Sequence, residues 1–218
     1  MAFVKIETVG YKQLVSSLLI SNDTNEDSLA IMLPGMGYNN DMPLQYYAAK
    51  YFESKGFDIL NVNYNYKDSK AFRDASLEEK SEWIRADVVG AVKDALNRKE
   101  YKHVVLVCKS IGTIAGLEAL ATLEALKHSQ IIWLTPLTQE EIIVQALQQL
   151  TQKSLIVIGT NDPCYVKENV KRLSEVSNFN VMLVPDADHS LELRGDTSQS
   201  IRIIGEVINK IDQFYKGI

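Results

Sequence analysis

The chain has few of the residues that staple a fold or hold a metal. Its 218 residues include two cysteines and three histidines. Cys108 and Cys164 make no disulfide framework. Scattered along the chain with the three histidines, they form no metal-ligand cluster, so no metal site is expected. Long apolar runs are also missing: none reaches the roughly 18 residues needed to span a bilayer. The opening Met1-Ala2-Phe3-Val4-Lys5-Ile6-Glu7 lacks the basic-then-apolar layout of a signal peptide. Positive charge is not in excess, with 23 Lys and Arg against 28 Asp and Glu and a net charge of -5. That balance argues against a nucleic-acid footprint. The expectation is a cytoplasmic protein with reduced thiols and neither nucleic acid nor membrane as partner. Low-complexity stretches, internal repeats and long linkers are absent too, so residues 1-218 read as one domain.

What the chain does have is ample apolar material, at 46% of residues, arranged as short β-rich runs alternating with longer helical patterns. Phe3–Val9 and Leu14–Ile20 read as two opening strands, with Gly10, Tyr11 and Lys12 between them as a hairpin turn. A polar loop covers 21–27. Strands are expected at Leu29–Leu33, Phe57–Val62, Val104–Val107, Ile131–Leu134, Leu155–Ile158 and Val181–Val184. Helical patterns fill Leu44–Ser54, Ser76–Arg98, the segment after Ser110, Thr138–Leu150, Val166–Val176 and Ser198–Tyr215. Ser76 with Glu79, and Thr138 with Glu141, have the spacing of capping boxes. In the last helix Ile201, Ile204, Ile208 and Ile211 are expected on one face. From Leu29 onward the alternation implies a mostly parallel sheet covered on both faces, with the first two strands an antiparallel edge.

The most informative stretch is Cys108-Lys109-Ser110-Ile111-Gly112. It follows the apolar run Val104–Val107 and precedes the small-residue helical segment Thr113-Ile114-Ala115-Gly116-Leu117. A serine on a sharp strand-to-helix turn is lifted clear of its neighbours, and the amide behind it is aimed at a developing oxyanion. The bland alternative is that Ser110 caps the helix, a position serine favours.

Sites in open parallel sheets collect at the carboxyl ends of strands. Ser110 follows one strand, Asp162 a later one and His189 the last, in the order nucleophile, acid, base. A serine hydroxyl holds its proton at neutral pH, so an imidazole must take it, and a carboxylate must fix the imidazole tautomer. Asp162, in Asn161-Asp162-Pro163, is also a common turn residue. Asp186, Asp188 and Glu192 are competing acids, but a sequence neighbour rarely reaches the far ring nitrogen. His103 begins a strand and His128 ends a helix, leaving His189 as the histidine at a strand's carboxyl end. Lys109 is read as solvated and the cysteines as ordinary small side chains. Gly35-Met36-Gly37 does not continue as a dinucleotide loop, since Asn40 stands where the third glycine belongs and no acid ends the next strand, Asn61-Val62-Asn63-Tyr64.

Taken together, the two opening strands, the Pro34-Gly35-Met36-Gly37 loop, Cys108-Lys109-Ser110-Ile111-Gly112, Gly159-Thr160-Asn161-Asp162-Pro163 and Asp188-His189-Ser190-Leu191-Glu192 resemble the α/β-hydrolase superfamily. The fragments are similar to small carboxylesterase-like and dienelactone-hydrolase-like members, although dienelactone hydrolases proper use a cysteine nucleophile. The resemblance implies an α/β-hydrolase fold, with a mostly parallel twisted sheet of about eight strands, helices on both faces and no cap domain. The space between Pro136 and Leu155 holds a single helix, too little for a lid. By position Ser110 is the nucleophile, Asp162 the acid and His189 the base, and the amides of Met36 and Ile111 form the oxyanion hole. Cys108 replaces the first glycine of the elbow, and Pro34 the histidine before Gly35. Gly35, Gly37, Tyr38, Tyr64, Tyr165 and Leu191, on loops at the same edge, are candidate substrate contacts, with Met42 and Tyr66 nearby. The function implied is hydrolysis of a small-molecule ester or related acyl compound without a cofactor. A non-catalytic binding protein on the same fold and an acyltransferase using the same three residues are the alternatives.

Overall fold

Apolar runs bounded by Gly, Pro, Asn and Asp become strands, and runs with helical spacing become the helices between them. The computed structural model describes residues 2–11, 13–22 and 27–216, in which these elements fall into two compact units that meet in sequence at Ser129 and Gln130. Met1, Lys12 of the expected hairpin turn and residues 23–26 of the expected polar loop lie outside the described residues.

The first unit carries strands β1 (Ala2–Val9), β2 (Leu14–Ser21), β3 (Ser28–Leu33), β4 (Asp58–Asn61) and β5 (His103–Lys109). Its helices are α1 (Pro43–Ser54), α2 (Lys70–Asp74), α3 (Leu77–Arg98) and α4 (Gly112–Thr122), followed by one 3-10 turn at Glu124–Leu126. The strand order is β1-β2-β4-β3-β5. The opening strands pair antiparallel with each other, and β2 pairs antiparallel with β4, whereas β3 runs parallel to both β4 and β5. Every residue of β3 is buried. A parallel strand covered on both faces needs a continuous apolar run, and Leu29-Ala30-Ile31-Met32-Leu33 supplies one. Helix α2, only five residues long, is too short to leave a periodic signature; Ser69 caps it by accepting from the Phe72 amide.

Helix α3 starts as the sequence predicts. The Ser76 hydroxyl accepts from the Glu79 amide at 3.2 Å, and the Glu79 carboxylate accepts from the Ser76 amide at 2.8 Å. That amide holds the Glu79 carboxyl below its usual range. Ser76→Ala removes one partner of an otherwise orphaned helix amide and is expected to lower stability by about 1 kcal/mol in denaturant unfolding. No loss would mean that the cap is redundant.

The buried stripe of α3 contains a carboxylate, Asp87, among Ile84, Val88, Ala91 and Val92. It is accommodated because three donors reach it: the Tyr11 amide and Gln13 Nε2 at 2.6 Å and the Tyr66 hydroxyl at 2.7 Å. A buried carboxylate without them would be costly. Above this group Trp83 packs against Tyr11, Phe72 and Tyr66, with ring centroids 4.6, 5.4 and 6.5 Å away.

The second unit is a parallel three-stranded array, β6 (Gln130–Leu134), β7 (Ser154–Gly159) and β8 (Phe179–Val184), in that order, with helices α5 (Glu141–Gln148), α6 (Lys167–Ser174) and α7 (Thr197–Lys216). Strand β7 is buried throughout. The indole of Trp133, fully buried on β6, donates to the Ser154 hydroxyl at 3.2 Å. Two expectations are corrected here. The buried face of α7 is Ser200, Ile203, Val207, Ile211 and Phe214, so Ile211 lies on it as expected but Ile201, Ile204 and Ile208 do not. That stripe brings an aromatic side chain into the core at its far end and leaves Ile201 64% exposed. The second capping box does not form either: α5 begins at Glu141 without a side-chain cap. The Thr138 hydroxyl donates instead to the Cys164 carbonyl, tying the segment after β6 to the segment after β7. Only α5 separates β6 from β7, so no lid is inserted there.

Candidate active site

In the first unit the end of β5 makes the sharp turn its sequence suggests. Ser110 has φ 54, the left-handed region that non-glycine residues rarely adopt. The turn is closed from behind, where the Thr113 amide and hydroxyl donate to the Ser110 carbonyl at 2.8 and 2.6 Å. Gly112 is where α4 passes closest to β3, and a Cβ there would lie 2.3 Å from the Leu33 carbonyl oxygen. Ser110 is not the helix cap. The N-cap of α4 is Ile111, in helical conformation and without a side-chain cap bond. Cys108 is fully buried, and burial pushes its thiol well above the usual range, which keeps it an inert packing residue.

The Pro34–Tyr38 loop lies against this turn. The Gly35 amide donates to the Tyr38 carbonyl at 2.9 Å and the Tyr38 amide returns to the Gly35 carbonyl at 3.3 Å. Gly37 supplies the positive φ, 82°, that such a tight turn requires. A Cβ on Gly35 would sit 3.3 Å from Ser110 Cβ, so the loop and the serine are in direct apposition. Among the described residues, neither the Met36 amide nor the Ile111 amide is engaged by a backbone carbonyl. Met36 and Met42 leave their side chains open to solvent, 45% and 38% exposed.

The aromatic residues expected around this loop are built into its frame. Tyr64 is buried and donates to the Pro34 carbonyl at 2.6 Å, and burial keeps its hydroxyl protonated. Tyr38 is buried and its hydroxyl accepts from the Leu44 amide at 3.0 Å. Lys109 corrects the expectation of a solvated side chain, since it is fully buried. Its stem would touch a Cβ on Gly35 at 3.4 Å, and its ammonium lies 4.9 Å from the centre of the Tyr38 ring. A ring face attracts a desolvated cation.

In the second unit the structure brings Asp162 and His189 together. His189 Nδ1 lies 2.8 and 2.9 Å from the two Asp162 carboxylate oxygens. The Asp162 side chain is completely buried, whereas the imidazole is 35% exposed. The Cys164 amide donates to Asp162 Oδ1 at 2.7 Å and fixes the carboxylate further. The loops after β7 and β8 are laced together: the Asn161 amide donates to the Ala187 carbonyl at 3.0 Å, and the Asp186 amide to the Thr160 hydroxyl at 2.8 Å. Asp188, a competing acid by sequence, is occupied in folding its own loop. One of its carboxylate oxygens accepts from the Ser190 and Glu192 amides at 2.8 and 3.0 Å. Leu191, fully buried at φ 59, anchors that loop, and the Tyr165 amide donates to the Asp162 carbonyl at 2.9 Å. His103 and His128 are exposed, at the start of β5 and after the 3-10 turn.

Sequence spacing suggested no cluster of metal-binding side chains, but the fold makes one. One donor atom each from Asp162, half-buried Cys164 and His189 lie within 4.8 Å of one another. The signal in the sequence was a cysteine two residues beyond the expected acid. A surface groove of about 550 Å³ between β8 and α7, lined by Val181, Leu183, Glu206 and Lys210 among others, contains none of the expected site residues. Among the described residues no helix is long and apolar enough to cross a membrane.

The model of an alpha/beta hydrolase domain matches residues 26–216 of the chain. Among solved structures, a serine hydrolase without lid from Xanthomonas campestris is 13% identical, with 98% of this chain and 94% of that one covered at a TM-score of 0.73. A dienelactone hydrolase from Anabaena variabilis is 14% identical, with 99% and 97% covered and a TM-score of 0.73. An esterase from Pyrococcus furiosus is 14% identical, with 99% and 92% covered and a TM-score of 0.72. No curated protein sequence matches. At these identities the solved structures establish the fold, with eight mostly parallel strands, flanking helices and no cap domain.

Proposed function

The chain belongs to the alpha/beta hydrolase domain family, and from that premise we propose that it is a serine hydrolase cleaving an ester or related acyl bond of a small molecule. The observation that carries this reading is the backbone of Ser110. A serine held at φ 54 costs roughly 1–2 kcal/mol relative to ordinary backbone, and although Leu191 adopts such backbone as a buried anchor, strain of that kind clusters at active sites. Asp162 and His189 supply the acid and the base such a serine needs, already hydrogen-bonded to each other.

In this mechanism Ser110 Oγ attacks the acyl carbonyl while His189 Nε2 takes the hydroxyl proton. Asp162 accepts the Nδ1 proton of His189 in a hydrogen bond, which keeps Nε2 free to act as base and stabilises the imidazolium. The amides of Met36 and Ile111 receive the oxyanion. The tetrahedral intermediate collapses, the imidazolium gives its proton to the departing alcohol, and the acyl group stays on Ser110. Water, deprotonated by the same imidazole, then attacks the acyl-enzyme and releases the acid. The exposed Met36 and Met42 side chains beside the loop support an apolar acyl group.

Intact-mass measurement after treatment with a fluorophosphonate tests the reading. One adduct is expected, mapping to the peptide that contains Ser110 and absent from His189→Ala. A folded wild-type protein that takes no adduct would overturn the hydrolase and leave a binding protein on the same fold.

A further inference from the structure

The cluster of Asp162, Cys164 and His189 has a chemistry that ester hydrolysis does not use. A carboxylate, a thiol and an imidazole form the mixed oxygen, sulfur and nitrogen donor set that suits zinc-class ions. The three donor atoms lie within 4.8 Å of one another. Around a tetrahedral zinc ion, donors stand about 3.3–3.7 Å apart, given metal-ligand distances near 2.0–2.3 Å. Closing the set therefore needs shifts of about 1 Å, within the reach of side-chain torsions. The cluster is not an accident of surface acids: the Asp162 side chain is fully buried and the imidazole two-thirds so. All three residues sit on loops already laced together by the Asn161–Ala187 and Asp186–Thr160 hydrogen bonds, so the donors are held near one another before an ion arrives.

We propose that Asp162, Cys164 and His189 bind a single thiophilic divalent cation of the zinc class, and that its binding switches the catalytic pair off. The second half rests on the hydrolase reading above. Binding requires the thiol to lose its proton to solvent and the carboxylate and one imidazole nitrogen to turn to the ion. If the ion takes Nδ1, the ring proton moves to Nε2, which then has no lone pair for the serine proton. If it takes Nε2, that lone pair is occupied directly. Either way Ser110 has no base. The cation is reversible, since every bond it makes is coordinate and a chelator competes for it. Cys164 thereby acquires a role that neither the nucleophile nor the acid-base pair gives it: it makes an ordinary carboxylate-imidazole pair responsive to a soft metal.

The test uses the full chain, stripped by chelator, and titrates it with cobalt(II) followed by absorption and with zinc in competition. Wild type and Ser110→Ala are expected to bind one cobalt with a thiolate-to-metal charge-transfer band. Cys164→Ser loses the band and binds zinc at least about tenfold more weakly, the scale on which even a supporting group counts at metal sites. His189→Gln weakens zinc by a similar factor while keeping a thiolate, which guards against a misfolded serine variant. Zinc slows fluorophosphonate labelling of wild type, and labelling of Cys164→Ser resists it. Absence of the band from wild type, or equal zinc affinity in wild type and Cys164→Ser, overturns the site. Stoichiometric binding that leaves the labelling rate unchanged overturns the switch. Failure of the metal-free wild type to label at all counts against the hydrolase reading alone, because the cobalt band is read without it.

Discussion

Ser110→Gly is expected to abolish turnover while making the protein more stable. Losing the nucleophile of a cooperating catalytic set costs on the order of 10⁶-fold in kcat. Stability moves the other way. Left-handed backbone costs a non-glycine residue roughly 1–2 kcal/mol, and glycine removes that cost but makes the unfolded chain freer by about 0.5–1 kcal/mol. The net gain is about 0.5–1 kcal/mol. For a chain of this size that raises Tm by about 1–4 °C. Ser110→Ala, with a Cβ still in the wrong region of backbone space, is expected to be equally inactive without the rise. The pair of variants, compared by ester turnover and thermal melting, separates two roles for the serine. A structural serine would lose stability in both. Turnover near wild type in either variant would refute the nucleophile assignment, whereas a lower Tm for Ser110→Gly would show that the side chain also holds the turn through contacts of its own.

Gly159→Ala is expected to be the most damaging single methyl group in the second unit. Its Cβ would stand 2.0 Å from the Ala187 carbonyl oxygen and 2.9 Å from that of Asp188, both main-chain atoms that no side-chain rotation can clear. Relief requires separating the end of β7 from the segment that leads into His189. A loss of about 3 kcal/mol, at the upper end for overpacking, is expected, with Tm lower by about 6–12 °C. Turnover falls as well. The same displacement moves His189 relative to Asp162, and misplacement by about 1 Å can cost 10²-fold. Gly205 on α7 is the internal control, since a Cβ there meets nothing within 4 Å. Gly205→Ala is expected to raise stability by about 0.5–1 kcal/mol. If Gly159→Ala melts within a degree or two of wild type, the close approach at this point is not what holds the two loops in place.

The fold was legible where burial is two-sided or strictly periodic. Strand β3 reads as a continuous apolar run because it is covered on both faces, and α3 announces itself through Ser76, Glu79 and the stripe from Ile84 to Val92. Legibility failed where a side chain answers to a distant partner. Thr138 has the spacing of a cap, but the Cys164 carbonyl takes its hydroxyl. Lys109 carries a charge that usually means solvent, yet its stem lies under the glycine loop and its ammonium faces the Tyr38 ring. Tyr64 looks like a pocket wall from its place after a strand, and its hydroxyl holds the Pro34 carbonyl. At the candidate site, Ser110, Asp162 and His189 could be singled out because each follows a strand. The Asp162–Cys164–His189 grouping could not, because it depends on how two loops are laced together rather than on any spacing along the chain.

The two indoles divide between the two units. The chain contains two tryptophans. Trp83 sits in the first unit within a ring cluster, and Trp133 in the second, sealed on β6. Replacing either one with phenylalanine therefore leaves a protein whose indole emission, excited beyond the tyrosine absorption band, reports from one unit alone. The protein carries its own pair of optical gauges. Overlaying their unfolding curves distinguishes a molecule that melts in a single cooperative step from one whose Ser110-bearing unit and Asp162–His189 unit come apart in turn.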